Sequence, residues 1–264
     1  MADFTAKDVQ ALRRATGAGM LDSKRALEEN GGDMDKARQW LREQGLAGAA
    51  KRSDREATQG AVALAVSGRN AAIVELRCET DFVAKAESFV NLTDELAQLV
   101  AEKGPQAVSD RSDDIDELKT TLKENISVGE IARFEMGESS VVGTYLHMQS
   151  GRGVNAVLVE MTGATDDLAH DVAVHVAFAR PSYLRREEVP QEEVDAERAT
   201  IEKLSRNEGK PEAALPKIVD GRMNGWFKER CLLEQPYAKD EKRTIAQLIG
   251  SAEIVRFAQV VVGG

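Results

Sequence analysis

The chain has 264 residues, of which 35 are basic and 45 acidic, for a formal net charge of −10. That balance opposes tracking of a phosphate backbone, which needs clustered Lys and Arg, so direct nucleic-acid binding is excluded as a primary role. The only two cysteines, Cys78 and Cys231, form no Cys-x-x-Cys pair, and no metal, disulfide scaffold or cofactor is expected.

The N-terminus, Met1–Thr5, lacks the basic-then-apolar order of a leader, and no apolar run reaches the roughly 18 residues of a membrane span. A protein of the reduced cytoplasm is expected. Thr5-Ala6-Lys7-Asp8 resembles a capping box with Asp in place of Glu, and Val9 and Leu12 repeat at helical spacing until Gly17-Ala18-Gly19 interrupts. A second helix is predicted from about Leu21 to Glu29, stopped by Asn30-Gly31-Gly32. Asp33 can cap a third, whose Met34, Ala37, Trp40 and Leu41 share one face. This three-helix module ends near residue 45 and buries little surface, so it needs a neighbour or a partner. A charged connector, Lys51–Glu56, follows it.

From Gly60 the pattern becomes strand-like: Val62–Val66, a turn at Ser67–Asn70, then Ala72–Leu76, a β-hairpin. A helix from about Ala84 to Glu102, with Phe89, Leu92, Leu96 and Leu99 on one side, packs over it. Ile115, Leu118, Leu122 and Ile126 form a further helical stretch, leading into a strand at Ile131–Phe134. The pattern then returns. Val141–Leu146 is a strand, Gly151 and Gly153 mark a Gly-rich turn, and a second strand precedes a helix carrying Leu168, Val172, Val176 and Ala177, ended by Pro181. A charged segment at about 187–228, with sparse apolar residues at Val194, Ile201, Leu204, Ile218 and Val219 and a break at Asn207–Pro211, reads as an antiparallel helical hairpin. Its seam leaves oligomeric state open. Leu232, Leu233 and the strand Ile254–Val262 return to the core. The predicted class is α+β, with two-layer hairpin-plus-helix units: an N-terminal helical domain over 1–55 and core subdomains over 56–139 and 140–264.

The two core units are copies. Asn70–Leu76 with Thr80-Asp81 corresponds to Asn155–Met161 with Thr165-Asp166, at a constant offset of 85 residues. What differs is the clue to function: Phe82-Val83 follows the first pair and Asp167-Leu168 the second, so one copy alone has a bulky apolar group at its strand-to-helix connection. Phe82 could instead plug the local core, and Asp81 could cap the following helix.

Thr16-Gly17-Ala18-Gly19-Met20, Thr80-Asp81-Phe82-Val83-Ala84-Lys85, His175-Val176-Ala177 and Gln235-Pro236, in that order, resemble the bacterial translation elongation factor Ts family. The resemblance implies a ubiquitin-associated-like N-terminal module, a duplicated core and a coiled-coil insertion. It implies that the chain binds the GTPase elongation factor Tu and speeds GDP release without covalent chemistry. Thr80, Asp81, Phe82 and Val83 would be inserted near the partner's Mg²⁺ site. Arg13, Met20 and Leu21 would meet its nucleotide-binding domain, and Glu124, Asn125 and Ile126 would form a further contact, with Lys123 standing where a Gly is usual. His147 matches a contact histidine of some relatives. Some relatives continue into a further C-terminal helical module, for which the resemblance leads us to expect no counterpart here. Two other classes fit parts of the sequence: a ubiquitin-associated-type binding scaffold, and a thiol enzyme using Cys78. His170 and His175, five apart, do not share a helical face as metal ligands would.

Overall fold

Three helices, Ala6–Thr16 (α1), Met20–Glu29 (α2) and Met34–Ala50 (α3), open the chain. The computed structural model describes residues 4–50 and 52–263, so Met1–Asp3 of the N-terminal reading, Lys51 of the connector and Gly264 lie outside the described residues. The capping box at Thr5 is reciprocal: the Thr5 N–H donates to Asp8 Oδ2 at 2.7 Å and the Asp8 N–H to Thr5 Oγ1 at 3.4 Å. Asp33 Oδ1 accepts the N–H groups of Asp35 and Lys36, both at 3.1 Å, and so starts α3. Leu12, Ala26, Leu27 and Ala37 fill a small core of their own, with Phe4, Trp40 and Leu41 at its rim. Helix α3 runs past residue 45, because its far end packs on a later helix.

The first sheet takes Gln59–Ser67 (β1) and Asn70–Cys78 (β2) as an antiparallel hairpin. After it come the one-turn helix Asp81–Ala84 (α4), the long helix Glu87–Lys103 (α5), a 3-10 turn at Pro105–Arg111 and Ser112–Leu122 (α6). The expected continuous helix from Ala84 is therefore interrupted: Ala86 adopts extended backbone, φ −64 and ψ 134. Ile126 is not helical but lies just before Ser127–Glu135 (β3), which adds to the free edge of β2. At Gly45 of α3 a Cβ would come 2.6 Å from Thr120 Cγ2 of α6, a close approach that seats the N-terminal module on its neighbour.

Ser140–Gln149 (β4) and Arg152–Thr162 (β5) form the second hairpin. Its turn is the two residues Ser150 and Gly151, both at positive φ (53 and 82), as the twist of a tight hairpin requires. Gly153 lies inside β5 rather than in the turn; a Cβ there would come 2.2 Å from Val62 O of β1. Asp166–Ala179 (α7) covers this sheet. Gln191–Asn207 (α8) and Leu215–Arg230 (α9) form the helical hairpin around Val189, Ile201, Val219, Met223 and Trp226. Leu204 is exposed, and Ser205 takes the seam position expected for it, donating its hydroxyl to Ile201 O at 2.8 Å. Pro236–Tyr237 (β6), Asp240–Thr244 (β7) and Ile245–Ile249 (α10) lead to Glu253–Val261 (β8), which pairs with β5.

Each copy is thus a three-stranded antiparallel sheet, β1-β2-β3 or β4-β5-β8, whose third strand arrives later in the chain. Along β2, Ala72, Val74, Leu76 and Cys78 face α5, while Ala71 and Ile73 join Val62, Phe134, Ala156, Leu158 and Val260 in a layer between the sheets. The strands at the centre are apolar on both faces because both faces are covered. The two-layer units stack sheet to sheet, giving helix, sheet, sheet, helix.

Candidate functional site

The turn after β2 is built by Thr80. Its side chain accepts the Val83 N–H at 3.4 Å and so caps α4, and Thr165 does the same for Leu168 at 3.3 Å in the second copy. Asp81 is therefore not the cap; its carboxylate instead pairs with Lys85 Nζ at 2.5 Å. The hydrogen bond from Lys85, with its charge, holds the Asp81 carboxyl below the usual carboxylate range against the opposing effect of burial. Ala84 is buried and Val83 packs at the edge of the first core, which anchors one face of the single turn. The other face carries Phe82, 82 % exposed. In the second copy the helix runs on without a break and presents Asp167 at the equivalent position.

Glu124 grips this turn from behind. Its Oε2 accepts the N–H groups of Glu79 and Thr80, both at 3.0 Å, and its Oε1 accepts the Thr80 hydroxyl at 2.5 Å. The arrangement is reciprocated: Glu79 Oε1 accepts the Asn125 N–H at 2.7 Å, and Asn125 Nδ2 donates to the carbonyls of Ser53 (3.1 Å) and Arg55 (2.7 Å). Carboxylates bonded to backbone N–H groups are strong, geometrically demanding contacts. Glu124 and Asn125, expected as contacts to a partner, spend their side chains inside the chain and set the turn's position. Ile126, the third residue of that expected contact segment, is fully buried in the first core of the chain. Lys123 ends α6 in the left-handed region, φ 59 and ψ 30, and places the carboxylate that follows it.

Lys123 also reaches Asp22 Oδ2 at 3.3 Å. Met20 and Leu21 at the start of α2, 44 % and 82 % exposed, are thereby tied through Asp22, Lys123, Glu124 and Thr80 to Phe82. Arg13, near the end of α1, is exposed as well. His147 stands apart on β4, exposed and stacked on Tyr145 at 6.3 Å between ring centroids. No hydrogen bond joins it to the Thr80 turn among the described residues. Glu79 is a support that sequence reasoning does not single out, and Lys123, flagged for standing where a Gly is usual, proves to sit in left-handed backbone at φ 59 and ψ 30.

Cys78 is fully buried, and its thiol, donated to Thr80 O at 3.3 Å, is pushed up to about 12 by burial and then by the nearby Glu124 charge. A thiol so held is not a nucleophile near neutral pH, which removes the basis for a thiol enzyme. His175 is buried between Gln235, whose Oε1 accepts from Nε2 at 3.0 Å, and Ala238, whose N–H donates to Nδ1 at 3.2 Å. Burial lowers its pKa, and this tautomer is the neutral one. The two motifs containing His175 and Gln235 thus meet as a structural tie. Among the described residues no group of His, Cys, Asp and Glu could hold a metal ion, and no helix is long and apolar enough to cross a membrane.

An aromatic ring thus turns to solvent on a single helical turn that a carboxylate braces from behind. The family model described as elongation factor TS matches residues 79–264. The chain is 45 % identical to elongation factor Ts of Kineococcus radiotolerans, with 96 % of each chain covered. It is 43 % identical to those of Clavibacter michiganensis subsp. michiganensis, over the whole of both chains, and of Thermobifida fusca, over all of this chain and 99 % of the relative. The chain belongs to the elongation factor Ts family.

Proposed function

We propose that the chain is a guanine nucleotide exchange factor that binds elongation factor Tu in its GDP state, in the cytoplasm, and promotes GDP release so that GTP can load. The observation that carries this reading is the exposed Phe82 on its braced turn, present in one copy of the repeat and replaced by Asp167 in the other. A GTPase holds its nucleotide through a phosphate loop and a Mg²⁺ ion bridging phosphate and protein oxygens, so disturbing the ion's supports weakens the whole site. Phe82 is the wedge, Val83 and Thr80 fix its direction, and Asp81 competes for polar supports of the ion. Linkage requires that the factor weaken GDP binding by the same ratio by which GDP weakens binding of the factor. No bond is made or broken.

In this reading residues 1–55 form a ubiquitin-associated-like domain whose Arg13, Met20 and Leu21 meet the nucleotide-binding domain of the partner. Residues 56–139 and 140–264 are the two core subdomains, the second interrupted by the helical hairpin, and His147 adds a lesser contact. Glu124 and Asn125 serve through the turn they hold. The test is stopped-flow release of labelled GDP from elongation factor Tu as the chain is titrated. Phe82→Ala is expected to slow the stimulated release by about 30-fold, the equivalent of about 2 kcal/mol for a buried aromatic anchor, with an unchanged thermal melt. Unchanged release in that variant would remove the wedge, and activity surviving deletion of residues 60–264 would favour a plain binding scaffold.

A further inference from the structure

Helix α7 covers the second sheet with one face and turns another to solvent. His170, Val174 and Phe178 follow one another at i,i+4 spacing and so share one side of the helix. His170 is exposed, Val174 half-buried, and Phe178 is 78 % exposed. That side runs along β4, the edge strand of its sheet. At one end the His170 ring lies 6.5 Å from that of Tyr145, which stacks in turn on His147. At the other end Asn155, the ladder partner of His147, donates Nδ2 to Ala177 O at 3.1 Å, one residue before Phe178. Exposed apolar residues scattered singly need no explanation, but Phe178 is not single: it closes a continuous strip with Val174, Tyr145 and His147, and such strips mark contact surfaces. The strip stands at the same end of the stacked sheets as the Phe82 turn. One rung beyond His147, Gly153 of β5 packs on β1, where a Cβ would come 2.2 Å from Val62 O, and Arg152 Nη2 donates to Gln59 Oε1 at 3.4 Å. Gln59 is the ladder partner of Cys78, whose thiol closes onto Thr80 O at the root of the turn. A partner that covers Phe82 and reaches His147 therefore meets Phe178 within the same footprint.

We propose that Phe178 is a second aromatic anchor for elongation factor Tu, contacted together with His147, so that the first copy of the repeat supplies the wedge and the second supplies grip. This rests on the exchange-factor reading above. Phe178 is carried by the other copy from the wedge, so its contact is made equally before and during nucleotide release. A contact of that kind sets the concentration required and not the maximal rate. Phe178→Ala is expected to raise the concentration of chain giving half-maximal release of labelled GDP about tenfold, with the maximal rate held to within about twofold. Phe178→Leu, which keeps an apolar side chain, should fall between the two. The melting temperature should hold in both variants, because the ring lies in solvent. Combined with His147→Ala, Phe178→Ala should cost less than the two single losses added together, as for residues sharing one contact. If the unmodified chain speeds release and Phe178→Ala matches its half-maximal concentration, the anchor alone is overturned. A lowered maximal rate at an unchanged half-maximal concentration, or a melting temperature that falls with the affinity, overturns it too. Sedimentation velocity of the chain alone tests the other occupant: a dimer that Phe178→Ala dissolves, with exchange unaltered, would assign the strip to a second copy of the chain. If the unmodified chain fails to speed GDP release at any concentration, the exchange reading itself fails and takes the anchor with it.

Discussion

Lys123 occupies left-handed backbone, φ 59 and ψ 30, a region that costs a residue with a Cβ about 1 kcal/mol that glycine does not lose. Among the described residues its one long-range ion pair is the exposed one with Asp22 at 3.3 Å, and a pair of that kind contributes about 0–1 kcal/mol. Lys123→Gly is therefore expected to stabilise the chain by up to about 1 kcal/mol, a rise of about 2–4 °C in Tm for a chain of this size, read by calorimetry. Exchange should be retained, since Glu124 keeps its bonds to Glu79 and Thr80. A fall in Tm would show that the Asp22 contact matters more than the backbone strain. Residue by residue, the sequence makes Phe82 legible through the mismatch with Asp167, because a repeat shows what each copy does not need for folding. It does not make Glu124 legible as a brace, since the geometry that turns its carboxylate onto backbone N–H groups comes from two segments 44 residues apart.

Among the elements, α4 and α7 begin alike, with a threonine cap and an aspartate after it. They part company by the sixth helical position, where Ala86 takes extended backbone in the first copy and the helix continues in the second. The break frees a single turn to carry its ring outward, whereas Asp167 belongs to a full helix seated on β4, with Gly143 so close that a Cβ would come 2.0 Å from Ala169 O. Moving the ring should not move the activity: Asp167→Phe in a Phe82→Ala background is expected to leave GDP release at the level of Phe82→Ala alone in the same stopped-flow measurement. Restored release would mean that the ring, and not the interrupted helix, is sufficient. Strands β1 and β2 are plain in the sequence because two short apolar runs flank a two-residue turn. The stacking of the two sheets is not, because a strand apolar on both faces reads the same whether a helix or a second sheet covers it.

Across the whole molecule the repeat places two carboxylates, Glu75 and Glu160, at equivalent sites beside bulges in β2 and β5, both buried. Glu75 accepts the Glu130 N–H at 3.0 Å and pairs with Arg77; Glu160 accepts the Gly137 N–H at 3.0 Å and Arg256 Nε at 2.7 Å. Burial alone would raise the Glu160 pKa, but the hydrogen bonds from Gly137, Ser140 and Arg256 outweigh it and hold the carboxyl below its ordinary 4.5. The folded state then binds its proton less readily than the unfolded state. The stabilisation is full above about pH 4.5 and is lost as pH falls through the folded value. Glu160→Gln should cost about 1–3 kcal/mol at pH 7 in urea titrations and should flatten the loss of stability below pH 4.5. An unflattened acid limb would assign the pH dependence to other carboxylates.

The stacked sheets also carry a consequence for biosynthesis. Strand β8 completes the second sheet, the Val262 N–H bonds to Val154 O at 3.0 Å, and the Gly263 N–H reaches Glu75 Oε1 of the first sheet at 3.4 Å. While the chain is still threading out of the ribosome, the layer between the two sheets, where Ala71 and Ile73 meet Ala156 and Leu158, lacks Val260 of β8. Nascent chains arrested short of residue 253 should remain open to protease across both copies, and resistance should arrive in both together once β8 emerges.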